Sequence, residues 1–153
     1  LATTPTAIYL ALEKTIAGLT PRGKPHAGGH GKYRRLPGAW DFENLAVTAW
    51  DRSFSLSGLE QVSLESFGDG IGHECRTQLI LRVGHIKTDK NTETRDRTAE
   101  DLTQLIQALS MVSNKPSGVW LIWKKSGPKN VINAEDRSLE EIVFDLTYNL
   151  AAI

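Results

Sequence analysis

Residues 74–86, ECRTQLILRVGHI, constrain this chain more than any other stretch. Cys75, Thr77, Leu79, Leu81 and Val83 fall on one side, and Glu74, Arg76, Gln78 and Arg82 on the other, with Ile80 the exception. Alternation of period two over this length marks a strand with one buried and one mostly wet face. Such a strand needs a sheet beside it and something to cover its apolar side.

The flanking segments supply both. Thr4 is placed as an N-cap with Pro5 at the first helical position, where a missing N–H costs nothing. Ile8, Leu12, Ile16 and Leu19 then form an apolar stripe, which Gly18 and Thr20-Pro21 end. A second stripe, Leu102, Leu105, Ile106, Leu109 and Val112, predicts a helix opened by Asp96 or Thr98, with Thr98-Ala99-Glu100-Asp101 as a loose capping box. Further strands are expected over 52–57, 119–125 and 139–148, the last with Ile142, Phe144, Leu146 and Tyr148 on one face. Residues 40–50 read equally as a short helix or a turn into a strand. Residues 59–72 read as a turn-rich connection, and 87–96 and 127–136 as polar loops. The expected fold is α+β: a mainly antiparallel four-stranded sheet, two main helices on one face, and a long basic loop. At 153 residues the chain is read as one domain, 1–153.

The loop, 21–38, is where the sequence is least regular. Within it RGKPHAGGHGKYRRLPG holds five glycines and five Lys/Arg with no acid, so it cannot bury a core. Gly28-Gly29-His30-Gly31-Lys32 lacks the spacing and the Ser/Thr of a phosphate loop, and no strand precedes it. His26 and His30 are four apart, but the intervening glycines argue against a helix that would align them on a metal. No cofactor is expected.

Net charge is zero, yet residues 1–40 carry six Lys/Arg against one acid while the remainder carry twelve against seventeen. A basic end and an acidic body point either to nucleic acid or to the acidic body of a neighbouring copy. The lone Cys75 reads as a small buried hydrophobe and excludes an internal disulfide. No apolar run approaches the roughly 20 residues that span a bilayer, so no membrane partner is expected, and the first residues lack the apolar core of an export signal. No nucleophile elbow or zincin motif is present. Asp145, Glu141 and Glu74 read as solvated sheet positions rather than a nuclease cluster. The chain is therefore not expected to be an enzyme.

The order of elements resembles the tail terminator (minor tail protein U-like) family of long-tailed bacteriophages. The resemblance is carried by the first helix (TAIYLALEKTI), RSFSLS, the strand RTQLILRVGHI, then RDRTAEDLTQLIQAL. The last strand, LEEIVFDLTYNL, carries the aromatic-Asx-aliphatic-Thr-Tyr pattern at Phe144 to Tyr148. It covers most of the chain outside residues 21–50. It implies a virion protein of the tail and neck, assembled in the bacterial cytoplasm. Such a subunit closes into a hexameric ring, caps the tail tube, ends its polymerisation and joins it to the head connector or a head-completion protein, with DNA passing through the hole. The basic loop has no residue-by-residue counterpart. Its Arg22, Lys24, Lys32, Arg34 and Arg35 are candidate contacts to DNA or a neighbouring copy. Tyr33, Trp40, Trp50, Trp120 and Trp123 are candidate interface aromatics, with a core role as the competing reading for Trp120 and Trp123. Two alternatives stand beside this: another head–tail joining or head-completion protein, and a small nucleic-acid-binding domain using the loop.

Overall fold

The structure, a computed structural model, describes residues 2–23, 30–36, 39–61, 63–66, 73–88, 91–111 and 114–150. The alternating stretch is a 14-residue strand, β4 (His73–Ile86). The last strand, β6 (Arg137–Leu150), pairs antiparallel with it along its whole length, from His73 opposite Leu150 to Ile86 opposite Arg137. On β4's other edge β2 (Ser53–Ser57) and β3 (Ser63–Ser66) pair antiparallel, one after the other. Beyond β2 lies the two-residue β1 (Arg34–Arg35), parallel to it, and beyond β6 lies β5 (Val119–Asn133). The continuous order is β1-β2-β4-β6-β5, with β3 off this path on β4.

This corrects the expected four-stranded, mainly antiparallel sheet. The α+β class holds, but among the described residues six strands form one mixed sheet with a parallel pair, five of them along the continuous path, and three α-helices accompany it. The parallel strand comes from the loop that was expected to lack structure. Arg34 N–H donates to Arg52 O and Leu36 N–H to Phe54 O, so the loop's end satisfies an otherwise unpaired edge of β2.

One face of the sheet carries the two long helices. α1 (Pro5–Gly18) starts at Thr4, whose Oγ1 accepts from Ala7 N–H, and buries Ile8, Leu12 and Ile16. α3 (Asn91–Ser110) buries Leu102, Leu105 and Leu109. Both pack on Cys75, Leu79, Leu81 and Val83 of β4 and Ile142, Phe144, Leu146 and Tyr148 of β6. Each fully buried aliphatic side chain there contributes about 1.5–3 kcal/mol.

Among the described residues, helical cover on the opposite face lies at one end. There a 3-10 turn (Ala39–Asn44) and the short α2 (Val47–Trp50) bring Phe42 and Trp50 onto Leu139, with the rings edge to face at 5.1 Å. Gly84 makes room for the indole: a Cβ at this position would lie 2.6 Å from Trp50 Nε1.

Two boundaries move. α3 starts at Asn91, upstream of Asp96 and Thr98, so the supposed capping box lies inside the helix. Its polar first turns are held by tertiary contacts that periodicity does not register. β5 also runs through most of 127–136, because bulges let a polar, glycine- and proline-containing segment keep pairing with β6.

Candidate assembly interface

The base of the basic loop rests on a buried charge network. Asp51 and Arg52, at the mouth of β2, point into two different pairs. Arg52 donates from Nε to Asp101 Oδ2 at 2.8 Å and from Nη2 to Asp101 Oδ1 at 3.0 Å. Its remaining donors reach back to the loop, Nη1 to His30 O at 3.0 Å and Nη2 to Gly23 O at 2.7 Å. Asp51 accepts from both terminal nitrogens of Arg97 and from the backbone N–H of His30 and Ile86. Asp51, Arg52, His85 and Asp101 have no exposed surface.

Burial alone would raise the Asp51 carboxyl. The hydrogen bonds from Arg97, then those from His30 and Ile86, outweigh it and bring the pKa down to about 2. Asp101 is likewise lowered: burial raises it, while hydrogen bonds from His85 and Arg52 overcome that. An ionised Asp101 only accepts, so His85 Nε2, 2.8 Å away, carries the hydrogen, while Nδ1 has no hydrogen-bond partner among the described residues. A His–carboxylate pair is the geometry of a general base, but this one is sealed from solvent, and its geometry is that of a clamp. Arg52 has φ +55°, a left-handed conformation uncommon for non-glycine residues, held here by four side-chain hydrogen bonds.

The loop's cations are mostly engaged. Lys32 is exposed, but its Nζ donates to Leu19 O and Thr20 Oγ1 at 3.3 and 3.0 Å. Arg34 is half-buried and donates to Ala49 O and Asp51 O. Arg35 is exposed and pairs with Glu13 on α1. Arg22 is exposed at the rim of an open groove of about 490 Å³ between the ends of α1 and α3. Lys24 and His26 lie outside the described residues.

The aromatic candidates divide. Tyr33 is buried, its hydroxyl donating to Gln104 Oε1 at 3.0 Å, and burial together with the nearby Asp101 charge pushes its pKa well up. Trp50 is buried and donates from Nε1 to Ser138 O at 2.8 Å, with the Arg137 guanidinium 5.0 Å from its ring centroid. Neither is available to a partner, which corrects their reading as surface anchors. Each has a polar tip whose hydrogen bond is met inside, so burial costs it nothing. The Trp40 side chain lies outside the described residues.

Trp120 and Trp123 are the exposed ones, at 52% and 66%. Both sit on β5, the free edge of the sheet. Leu121 opposes Thr147 and Trp123 opposes Asp145, so these two lie on the face away from α1 and α3, while Trp120 sits at the register shift between Val119 and Leu121. Lys124, Lys125 and Lys129 follow on the same strand, all exposed. Between 115 and 133 there are four lysines and no acid. Lys115 and Lys124 donate to Trp120 O and Gly127 O at 3.2 and 2.9 Å, which leaves Lys125 and Lys129 as the β5 lysines without a hydrogen bond or ion pair among the described residues.

The network residues were legible in part. His85 shares the apolar phase of Val83 on β4, and Arg97, Asp101 and Gln104 share the buried face of α3, a signal that the reading of Thr98 to Asp101 as a capping box passed over. Which charge would meet which depended on three elements distant in sequence. Among the described residues no helix is long and apolar enough to cross a membrane. No protein-family model matches the chain, and no curated protein matches it significantly.

Proposed function

We propose that this protein is a structural virion subunit of the tail terminator type, which assembles with copies of itself into a ring on the phage tail tube. The observation that carries the reading is the edge strand β5. It presents Trp120 and Trp123 to solvent beside Lys124 and Lys125, while Trp50 and Tyr33 are buried with their polar atoms satisfied. Large aromatics that a subunit leaves outside are the residue types that anchor interfaces. The order of elements that resembles the family supports the same reading. In it, the subunit ends tube growth and links the tube to the head connector, with DNA passing through the ring. Arg22 and Lys24 are the loop cations assigned to meet that DNA or the neighbouring copy.

Electron microscopy of the purified protein with and without tail tubes tests this. Rings with a central hole, or caps at tube ends, are expected. Isolated particles that ignore tube ends overturn the terminator role. Their attachment to head connectors instead would place the protein on the head side of the neck.

A further inference from the structure

Two oppositely charged surfaces lie on β5 and on the solvent face of α3. One is the edge strand β5, with Trp120, Trp123, Lys124, Lys125 and Lys129 exposed. Among the described residues neither Lys125 nor Lys129 makes an ion pair. The other is the solvent face of α3. Glu93, Asp96 and Glu100 are spaced three and four apart, which aligns them on one stripe, and all three are exposed. The buried face of the same helix is taken by Arg97, Asp101, Leu105 and Leu109. Glu93 and Glu100 make no ion pair among the described residues, and Asp96 meets only its exposed neighbour Arg95.

Strand addition is a poor use of this edge. Register shifts interrupt β5 between Val119 and Leu121, Lys124 and Ser126, Ser126 and Lys129, and Asn130 and Ile132. The Trp120 carbonyl already accepts from Lys115 Nζ at 3.2 Å. Bulges, lysines and a proline are the devices that keep an edge from pairing with another strand. The edge is thus equipped to meet a partner through side chains, and its lysines suit an acidic one.

We infer that β5 of one copy docks on the Glu93–Asp96–Glu100 stripe of α3 in the next. This rests on the ring reading above and names the two faces that meet. The α3 stripe points away from the sheet and β5 lies at the sheet's edge, so the contact joins unlike surfaces. Such head-to-tail contacts generate rings when the rotation closes. The stripe holds three carboxylates for Lys125 and Lys129, with Lys124, which donates to Gly127 O at 2.9 Å, beside them, and the indoles supply the apolar contact that holds the pair together in salt.

The test uses two variants of the full chain. One carries Lys124→Glu, Lys125→Glu and Lys129→Glu. The other carries Glu93→Lys, Asp96→Lys and Glu100→Lys. Circular dichroism confirms that each folds. Copy-to-copy contact is read by sedimentation velocity of the free protein and by chemical cross-linking of copies bound at tube ends. Each variant alone is expected to associate at least about tenfold more weakly than the parent, since like charges now face each other. An equimolar mixture is expected to recover association, because each copy's reversed face then meets a complementary one. Unchanged association of either variant, or a mixture that does not recover, overturns the inference, as does a parent whose copies never touch. Tube capping by the parent is scored separately: if capping persists while the charge reversals have no effect, the docking faces are wrong and the terminator reading stands.

Discussion

Arg52 and Asp101 meet fork to fork, at 2.8 and 3.0 Å, with neither side chain exposed to solvent. One residue opens β2 and the other sits mid-way along α3. The pair therefore fixes the helix to the sheet at the point where the basic loop leaves and returns. Through Gly23 O and His30 O the same guanidinium holds both described ends of that loop. The loop is less a free arm than a segment tied down at its roots.

Removing one partner of such a pair leaves the other as an uncompensated buried charge. Arg52→Ala is expected to lower unfolding free energy by about 3–5 kcal/mol in urea titrations. Arg35→Ala, which breaks the exposed contact to Glu13, is expected to change it by no more than about 1 kcal/mol. Equal effects would show that the network does not hold the fold.

Asp51 gives the pH dependence. Its carboxyl is near 3.8 when unfolded and about 2 when folded, so the folded state binds the proton less readily. The stability this contributes is fully present above the unfolded value and is lost as pH falls through the folded one. Asp101 is lowered in the same direction. Thermal midpoints are expected to be insensitive to these two groups above pH about 5 and to fall between about 4 and 2. Asp51→Asn should lower the neutral-pH midpoint and flatten the acid limb. A midpoint rising on acidification would contradict this.

Gly84→Ala tests the packing of the covered end of the sheet. The new methyl would lie 2.8 Å from Trp50 Cδ1 and 2.9 Å from Trp50 O. Backbone as well as indole must shift, which strains the Trp50 bond to Ser138 O. A cost of about 1–3 kcal/mol is expected, seen as a drop of several degrees in thermal midpoint.

The tryptophans separate folding from assembly. Trp50→Ala should cost about 3–5 kcal/mol through the cavity it leaves. Trp123→Ala, on the open edge, should change stability by about 0.5 kcal/mol or less. It should nonetheless weaken association between copies, as measured by sedimentation. Loss of folding in Trp123→Ala would return that residue to the core reading.

The sequence by itself determined the elements whose side chains carry a period. The alternation of β4 and β6 and the stripes of α1 and the body of α3 are recorded in local order, because one face of each must leave water. Only the tertiary structure decided what local order cannot encode. Tyr33 and Trp50 went inside because Gln104 and Ser138, distant in sequence, accept their hydrogen bonds. Arg34 and Arg35 became a parallel strand because β2 had an open edge. The first turns of α3 formed where Arg97 met the buried Asp51. Charge pairing and aromatic burial depend on which groups converge in space, and local order does not record that convergence.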